Sequence, residues 1–206
     1  MQVDAATAVR VFASLLLTIV IVNIILGVIN DLHDRLVAQT VTDPLTGAYN
    51  RRQMETSLDD VVERHRRTGA PATLLLIDID RFKEINDRFG HAAGDSVLRT
   101  VVALVADRVR RLDRLFRIGG DEFLLLLPDT NGAAARALAE ELRGLIAGTV
   151  IPGASSVTVS IGLAMLAPGQ QMDAWMHEAD AALYAAKQQG RDRVMGAAAV
   201  SAPTAD

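Results

Sequence analysis

Two short apolar runs on either side of a Gly-Gly-Asp-Glu turn limit what this chain can fold into more than any other feature. The first run ends at Ile118, the turn occupies positions 119–122, and the second run extends from Phe123 to Pro128. Adjacent glycines tolerate positive φ and therefore suit the tight turns that join antiparallel strands. The pattern predicts a β-hairpin with two carboxylates at its tip. Such a tip is either a solvated acidic turn or a place where a hard cation and a phosphate-bearing ligand bind.

Residues 72–79 form another apolar run, and it ends in carboxylates. Five of its residues are Leu or Ile, which is typical of a central strand buried on both faces. Asp78 falls at the carboxyl end of this strand. Because a buried carboxylate is costly unless it is paired or metal-bound, Asp78 either reaches solvent or contributes to a cation site. With Asp121 on a facing hairpin, the second interpretation is favoured, since Mg²⁺ prefers oxygen ligands.

The composition narrows the classes of partner. A chain of 206 residues is long enough for one domain and an appendage. The net charge of −4 gives no reason to expect nucleic acid as a partner, so a phosphate site must rely on a few placed cations and a metal. Cysteine is absent from the sequence, which excludes disulfides and thiolate metal sites.

The hydrophobic excess lies at the N-terminus, where residues 11–29 carry no charged side chain. At ~1.5 Å per residue, a helix of that length reaches roughly 28 Å, close to the thickness of a bilayer core. After a short tail at 1–10 we expect a transmembrane helix; a buried or dimer-forming helix and a signal peptide are the alternatives. Ile29, Leu32 and Leu36 keep helical spacing. They predict a signalling stalk over 30–42 that pairs with a second copy, or a simple linker helix.

The rest of the chain alternates between helical and strand patterns. Asn50 is a suitable N-cap for a helix extending to Thr68, and His91 for another over 92–110. Further helices are predicted over 81–89, 131–148 and 172–189, a strand over 156–163 and a loose tail over 197–206. This alternation around a hairpin indicates an α/β fold with a mixed central sheet.

Several motifs accompany the hairpin in a fixed order. Residues 43–52 read Asp-Pro-Leu-Thr-Gly-Ala-Tyr-Asn-Arg-Arg, and residues 78–83 read Asp-Ile-Asp-Arg-Phe-Lys. Asn86, Gly90, His91, Gly94 and Asp95 follow, and then Arg-Ile-Gly-Gly-Asp-Glu-Phe at 117–123. Together they resemble the GGDEF family of diguanylate cyclases, from Asp43 to Val194. The resemblance implies a GGDEF domain over 43–196. Its fold would be a mixed central sheet flanked by helices, as in nucleotidyl cyclases and polymerase palms.

The resemblance also implies a reaction and a set of site residues. Two GTP would condense to cyclic di-GMP and two pyrophosphates in a homodimer that binds one GTP per subunit. Asp78, the Ile79 carbonyl and Asp121 would hold Mg²⁺ or Mn²⁺, and Asp121 and Glu122 would be the catalytic carboxylates, with Glu122 as a further ligand or proton acceptor. The substrate-binding residues it implies are Asn86 and Asp95 for guanine and Lys187 and Arg191 for the β and γ phosphates, together with Phe82, Lys83, Gly119 and Gly120.

Some of these residues have plain structural explanations. Lys83 is also what a solvated helix surface carries, and Lys187 complements the dipole at a helix C-terminus. Asp192, directly after Arg191, stands where the family often has asparagine.

Arg110 and Asp113 match the family's product-inhibition motif, in which an arginine and an aspartate three positions apart bind cyclic di-GMP. The alternative is a local surface ion pair, which contributes little. The family usually adds an arginine from a neighbouring domain. At the corresponding place this chain has Glu141, with Arg136 and Arg143 nearby.

Two other functions fit the same sequence. A domain that binds GTP or cyclic di-GMP without turnover would be a receptor, and one that binds neither would be a membrane signalling and dimerisation module. A synthase acting on another nucleotide is disfavoured because Asn86 and Asp95 suit guanine. Since the reaction consumes GTP, we expect a single-pass protein of the bacterial inner membrane with its catalytic domain in the cytoplasm.

Overall fold

The computed structural model describes residues 14–29, 40–154 and 156–196. It divides the chain into two units, Met1–Val41 and Thr42–Asp206. In the first unit, residues 14–29 form helix α1, whose large apolar side chains are exposed. The predicted tails at 1–10 and 197–206, and positions 30–39 of the predicted stalk, lie outside the described residues.

None of the helices in the described ranges is long and apolar enough to cross a membrane. The transmembrane helix predicted over residues 11–29 is therefore not supported.

The second unit is built on a six-stranded mixed sheet in the order β1-β3-β4-β2-β5-β6. The strands are β1 (Tyr49–Asn50), β2 (Ala72–Ile79), β3 (Arg114–Gly119), β4 (Glu122–Pro128), β5 (Val159–Met165) and β6 (Val194–Gly196). The helices are α2 (Arg51–Thr68), α3 (Phe82–Phe89), α4 (His91–Ala106), α5 (Gly132–Gly148) and α6 (Met172–Gln188). Strand β2 runs antiparallel to both β4 and β5. At the two edges of the sheet, β1 is parallel to β3 and β6 is parallel to β5. The predicted mixed central sheet flanked by helices is confirmed.

Strand β2 is the centre of the core, and all eight of its residues are buried. Alternate side chains enter two separate apolar clusters, because successive residues of a strand point to opposite faces. Leu75 and Ile77 pack in the cluster that contains residues of α4 and α5, whereas Leu74 and Leu76 pack with residues of α2 and α6. Helices therefore cover both faces, and the functional groups must lie at the strand ends.

The sheet and α6 approach each other closely at Gly162 on β5. A Cβ at this position would collide with the Ala179 carbonyl and the Leu183 backbone. Because glycine lets α6 lie directly on the sheet, the C-terminal turn of this helix comes within reach of the end of β2.

The structure corrects some predicted boundaries. Asn50 caps α2 as predicted, since its side chain accepts a 3.0 Å hydrogen bond from the Gln53 amide. His91, by contrast, does not cap α4: it is the first helical residue, and Gly90 precedes it without a side-chain cap. That helix ends at Ala106 rather than at residue 110, and β5 begins at Val159 rather than at 156.

Candidate active site

The end of β2 and the tip of the β3–β4 hairpin meet as the sequence predicted. Asp78 is paired across the sheet with Glu122, and the Ile79 amide donates a 3.3 Å hydrogen bond to the Asp121 carbonyl. The acidic residues of two distant motifs are thus brought to one edge of the sheet. Asp78 is buried, whereas Asp121 and Glu122 are partly exposed.

The charge around Asp78 is unbalanced. Burial raises the pKa of the Asp78 carboxyl, and the charges of Asp121 and Glu122 raise it further, while Lys187 lowers it. The Lys187 ammonium lies 2.8 Å from Asp78 Oδ2. The final turn of α6 therefore supplies the cation that partly neutralises this acidic edge.

The donor atoms at this edge fit a hard cation. Nowhere in residues 14–29, 40–154 and 156–196 do three or more acidic or histidine side chains converge as a metal cluster. The predicted ligand set has only two carboxylates, Asp78 and Asp121, plus the Ile79 carbonyl, so it would not form such a cluster. All three donors are oxygen atoms, and the pKa of Asp78 is raised by burial first and then by the negative charges of Asp121 and Glu122. A divalent cation would offset that charge.

The hairpin turn differs from the predicted conformation. Neither Gly119 nor Gly120 has a left-handed φ, and the β3–β4 register shifts between Arg117 and Gly119. Arg117 holds the turn instead: its Nη2 and Nε donate to the Gly120 carbonyl at 2.7 and 3.1 Å. Sequence reasoning quoted Arg117 as part of the motif but gave it no role.

Arg117 also connects the hairpin to the Asp43 turn. Its Nη1 lies 3.0 Å from Asp43 Oδ1, and both side chains are mostly buried. Partial burial of Asp43 works to raise the pKa of its carboxyl. Hydrogen bonds from Thr46 and Arg117, with the arginine charge, outweigh this and hold the pKa below its ordinary value.

The predicted guanine-binding residues lie where α3 crosses α4. Gly94 has no room for a side chain, because a Cβ there would collide with Asn86 Oδ1 and lie 3.1 Å from the Phe82 ring. Asp95 is the next residue of α4, and its carboxylate lies 3.9 Å from Arg99. The structure thus places Phe82 and Asn86 against Gly94, and Asp95 follows Gly94 in the chain. Gly94, which sequence analysis quoted only as a motif residue, is what permits this approach.

The predicted phosphate-binding residues lie on both sides of the β2–α3 junction. Lys83 is exposed in the first turn of α3, and Arg191 follows α6. Arg191 contributes to a cavity of about 440 Å³ whose other lining residues include Arg81, Glu84, Arg88 and Thr158. Because none of Asp78, Asn86, Asp95 or Asp121 lines this cavity, it adjoins the acidic edge rather than containing it.

The predicted product-inhibition residues form a tight turn elsewhere. The Arg110 amide donates a 2.7 Å hydrogen bond to Asp113 Oδ2, and burial raises the pKa of the Asp113 carboxyl more than Arg110 lowers it. Both residues line a cavity of about 290 Å³ together with Tyr49, Val102 and Leu115. They share a concave surface rather than a side-chain ion pair.

Position 141, where the family usually has an arginine, is Glu141, and the arginines around it already have partners within the subunit. Glu141 lies 3.5 Å from Arg108. Arg143 contacts Glu140 and Asp192, and Arg136 donates to the Val194 carbonyl.

Sequence reasoning also missed Asp80. This buried carboxylate accepts hydrogen bonds from the hydroxyls of Ser160 and Thr158, each at 2.7 Å, and from the Asp192 amide at 3.1 Å. The Asp-Ile-Asp pattern was visible in the sequence, but it could not show which of the two acids meets protein donors.

An α/β domain whose acidic hairpin faces the end of its central strand is the class that this site defines. Residues 40–193 match the family model described as "Diguanylate cyclase, GGDEF domain". The chain belongs to this family.

Individual relatives and solved structures agree with this assignment. The chain is 44% identical over 172 residues to the response regulator PleD of Caulobacter vibrioides, covering 81% of this chain and 38% of PleD. It is 42% identical over 159 residues to the diguanylate cyclase DgcP of Pseudomonas aeruginosa, covering 76% of this chain and 24% of DgcP. The GGDEF domain of DgcB from Caulobacter crescentus, crystallised in complex with c-di-GMP, superimposes with a TM-score of 0.74 at 33% identity. That match covers 77% of this chain and 96% of the DgcB chain.

Proposed function

We propose that this protein is a diguanylate cyclase that condenses two GTP into cyclic di-GMP and two pyrophosphates. The observation that carries the proposal is the pairing of the end of β2 with the hairpin, which sets Asp78 opposite Glu122 and bonds the Ile79 amide to the Asp121 carbonyl, in a chain of the GGDEF family. The chain covers 38% of PleD and 24% of DgcP. The activity is therefore inferred from the residues of this site and not from the activity of either whole relative.

Each subunit binds one GTP. Asn86 and Asp95 recognise the guanine base: a carboxylate accepts from its N–H groups and an amide pairs with its acceptor edge. Gly94 allows Asn86 and Phe82 to approach the backbone of α4 closely, one residue before Asp95. Gly119 and Gly120 have no side chains, so a ligand can approach the backbone of the hairpin next to the carboxylates of Asp121 and Glu122. Lys187 and Arg191 bind the β and γ phosphates, and Lys83 is a further cation for the triphosphate.

Asp78, Asp121 and the Ile79 carbonyl would hold Mg²⁺ or Mn²⁺ at the acidic edge, and a bound ion would neutralise charge that builds up on the reacting phosphate. The 3′-hydroxyl oxygen of one GTP forms a bond to the α-phosphorus of the other. The bond between that phosphorus and the bridging oxygen breaks, and pyrophosphate leaves with the electron pair. Glu122 accepts the hydroxyl proton. Repetition in the opposite sense closes the ring, so two subunits must face each other.

Regulation and location complete the proposal. Cyclic di-GMP binds at the cavity beside Arg110 and Asp113, where a guanidinium and a carboxylate could recognise phosphate and guanine. The DgcB structure in complex with c-di-GMP supports product binding by a domain of this fold. The catalytic domain works in the cytoplasm, where GTP is available.

The test is to incubate the purified full chain with GTP and Mg²⁺ and to identify products by liquid chromatography and mass spectrometry. Cyclic di-GMP should form at a rate that rises with about the square of protein concentration at low concentration, because the active species is a dimer. Asp121→Asn should bind GTP but form no product, and Asp87→Asn, on the exposed surface of α3, is the matched control. GTP binding without turnover by the wild-type protein would instead establish a receptor.

A further inference from the structure

We propose that Asp80 is a positioning residue for GTP: its buried carboxylate holds the turn after α6 in the conformation that presents Arg191 to the triphosphate. The inference rests on the proposed function and adds a residue to the same site. Asp80 is two positions beyond the predicted metal ligand Asp78, yet its contacts are of a different kind.

Asp80 joins three segments that are far apart in the chain. Its Oδ1 accepts from Ser160 on β5, while its Oδ2 accepts from Thr158 before β5 and from the Asp192 amide after α6. The Asp80 amide also donates a 2.9 Å hydrogen bond to the Thr158 carbonyl. Two hydroxyls already satisfy this carboxylate at the strand end. The bond from Asp192 is the additional one, and it reaches the segment that carries Arg191.

The turn after α6 needs such a contact because its backbone is strained. Arg191 and Asp192 have φ values of 64° and 43°, in the left-handed region that side chains other than glycine rarely adopt. Such a conformation is unfavourable for a residue with a side chain and persists only where its surroundings fix it. Here the Arg191 amide donates to the Ala186 carbonyl at 3.0 Å, and Asp192 is held by Asp80 through its amide and by Arg143 through its side chain.

The conformation of this turn determines where the Arg191 side chain points. Without the Asp80 carboxylate, the Asp192 amide loses its acceptor, and the turn leaves the left-handed region more often although Arg143 and the Ala186 carbonyl still hold it. Arg191 would then be presented less often toward the cavity that it lines. A loss at Asp80 is therefore expected to act through Arg191 and not through the fold of the sheet.

Binding of 3′-deoxy-GTP with Mg²⁺ to the full-length protein, measured by calorimetry, tests this without turnover, since that nucleotide lacks the attacking hydroxyl. Asp80→Ala should weaken binding by about tenfold or more, comparable with Arg191→Ala. The double variant should bind within about twofold of Arg191→Ala alone, because the two residues act as one unit. The matched control is Ser160→Ala, which removes the bond to the other carboxylate oxygen and should change affinity by less than about twofold.

Three results would overturn the inference: unchanged affinity in folded Asp80→Ala, the same fold-loss for Asp80→Ala with and without Arg191, or no effect of Arg191→Ala. If wild-type protein fails to bind 3′-deoxy-GTP at all, it is the proposed function that fails.

A second variant and a direct measurement guard against misfolding of Asp80→Ala. In Asp80→Asn the amide oxygen can accept from Thr158 and Asp192 while its NH₂ donates to Ser160, so affinity should stay within about threefold of wild type. The Asp192 amide should also exchange slowly with solvent deuterium in wild-type protein and in Asp80→Asn. Rapid exchange in the wild type, or a loss in folded Asp80→Asn as large as in Arg191→Ala, would contradict the positioning role.

Discussion

Asp78 and Asp80 stand two residues apart at the end of the same strand, but their surroundings have opposite character. Asp78 faces two other acids and a single lysine, and burial raises its pKa. Asp80 accepts three hydrogen bonds from protein donors. The first arrangement leaves negative charge for a ligand to offset, whereas the second is complete within the protein.

This difference teaches how a binding site and its support can share one strand end. A carboxylate whose folded environment disfavours its charge is held there at a cost to stability, which is typical of functional sites. A carboxylate whose acceptors are all satisfied stabilises the segments that donate to it. Substitutions at the two positions should therefore have opposite effects on the free energy of unfolding, and the following experiments test this.

The largest expected effect is on turnover at Asp78. Asp78→Asn should reduce cyclic di-GMP formation by about 100-fold or more, because it removes a metal ligand and its charge. The free energy of unfolding at pH 7 should be unchanged or higher, since the neutral amide has no buried charge to desolvate. Product analysis and urea denaturation measure the two effects. Asp87→Asn serves as an exposed control, and wild-type turnover in Asp78→Asn would remove Asp78 from the site.

Asp80→Ala should have the opposite effect on stability. Three donors lose a buried acceptor, so the free energy of unfolding should fall by about 2–4 kcal/mol. Urea denaturation followed by circular dichroism would measure this, with Ser160→Ala expected to cost only about 1 kcal/mol. The comparison between the two acids breaks down if Asp80→Ala and Asp78→Asn shift the unfolding midpoint in the same direction.

Lys187→Met sharpens the electrostatic half of the contrast. The folded pKa of Asp78 lies above its ordinary value of 3.8, so its charge destabilises the fold increasingly as pH rises from that value through the folded pKa. Without Lys187 the folded pKa rises further and this loss grows. The free energies of unfolding of Lys187→Met and wild type, measured by urea denaturation, should thus be close at pH 4 and differ by about 1 kcal/mol at pH 7. A difference that does not depend on pH would mean that Lys187 acts by packing alone.

An effect of similar size to that of Lys187→Met is expected at Asp43, whose pKa is shifted in the opposite direction. Its folded pKa lies below 3.8, so the stability it contributes is present above that value and is lost as pH falls through the folded pKa. Asp43→Asn should cost about 1 kcal/mol at pH 7 and progressively less in acid. Arg117→Gln should reproduce this pH dependence. Equal destabilisation by Asp43→Asn at pH 7 and at the acid end of the titration would argue against the ion pair.

Much of the fold could be predicted because its elements have strong local signals. The bounds of β2 follow from a continuous apolar run, and α2 begins and ends where Asn50 and Thr68 predicted. Element ends that depend on distant partners were harder to predict. β5 begins at Val159 because the chain just before it pairs with Asp80, and no local pattern shows this.

The sequence alone was sufficient for the family, the hairpin and the residues that meet at the acidic edge, because these follow from motifs and their order. It could not determine which acids would be paired, nor that Arg117 would pair with Asp43, 74 residues away in the chain. Only the tertiary structure decided those points, since they depend on contacts between segments up to 112 residues apart. A side chain's chemistry is written in the sequence, but its pKa, partners and strain are set by what folding places beside it.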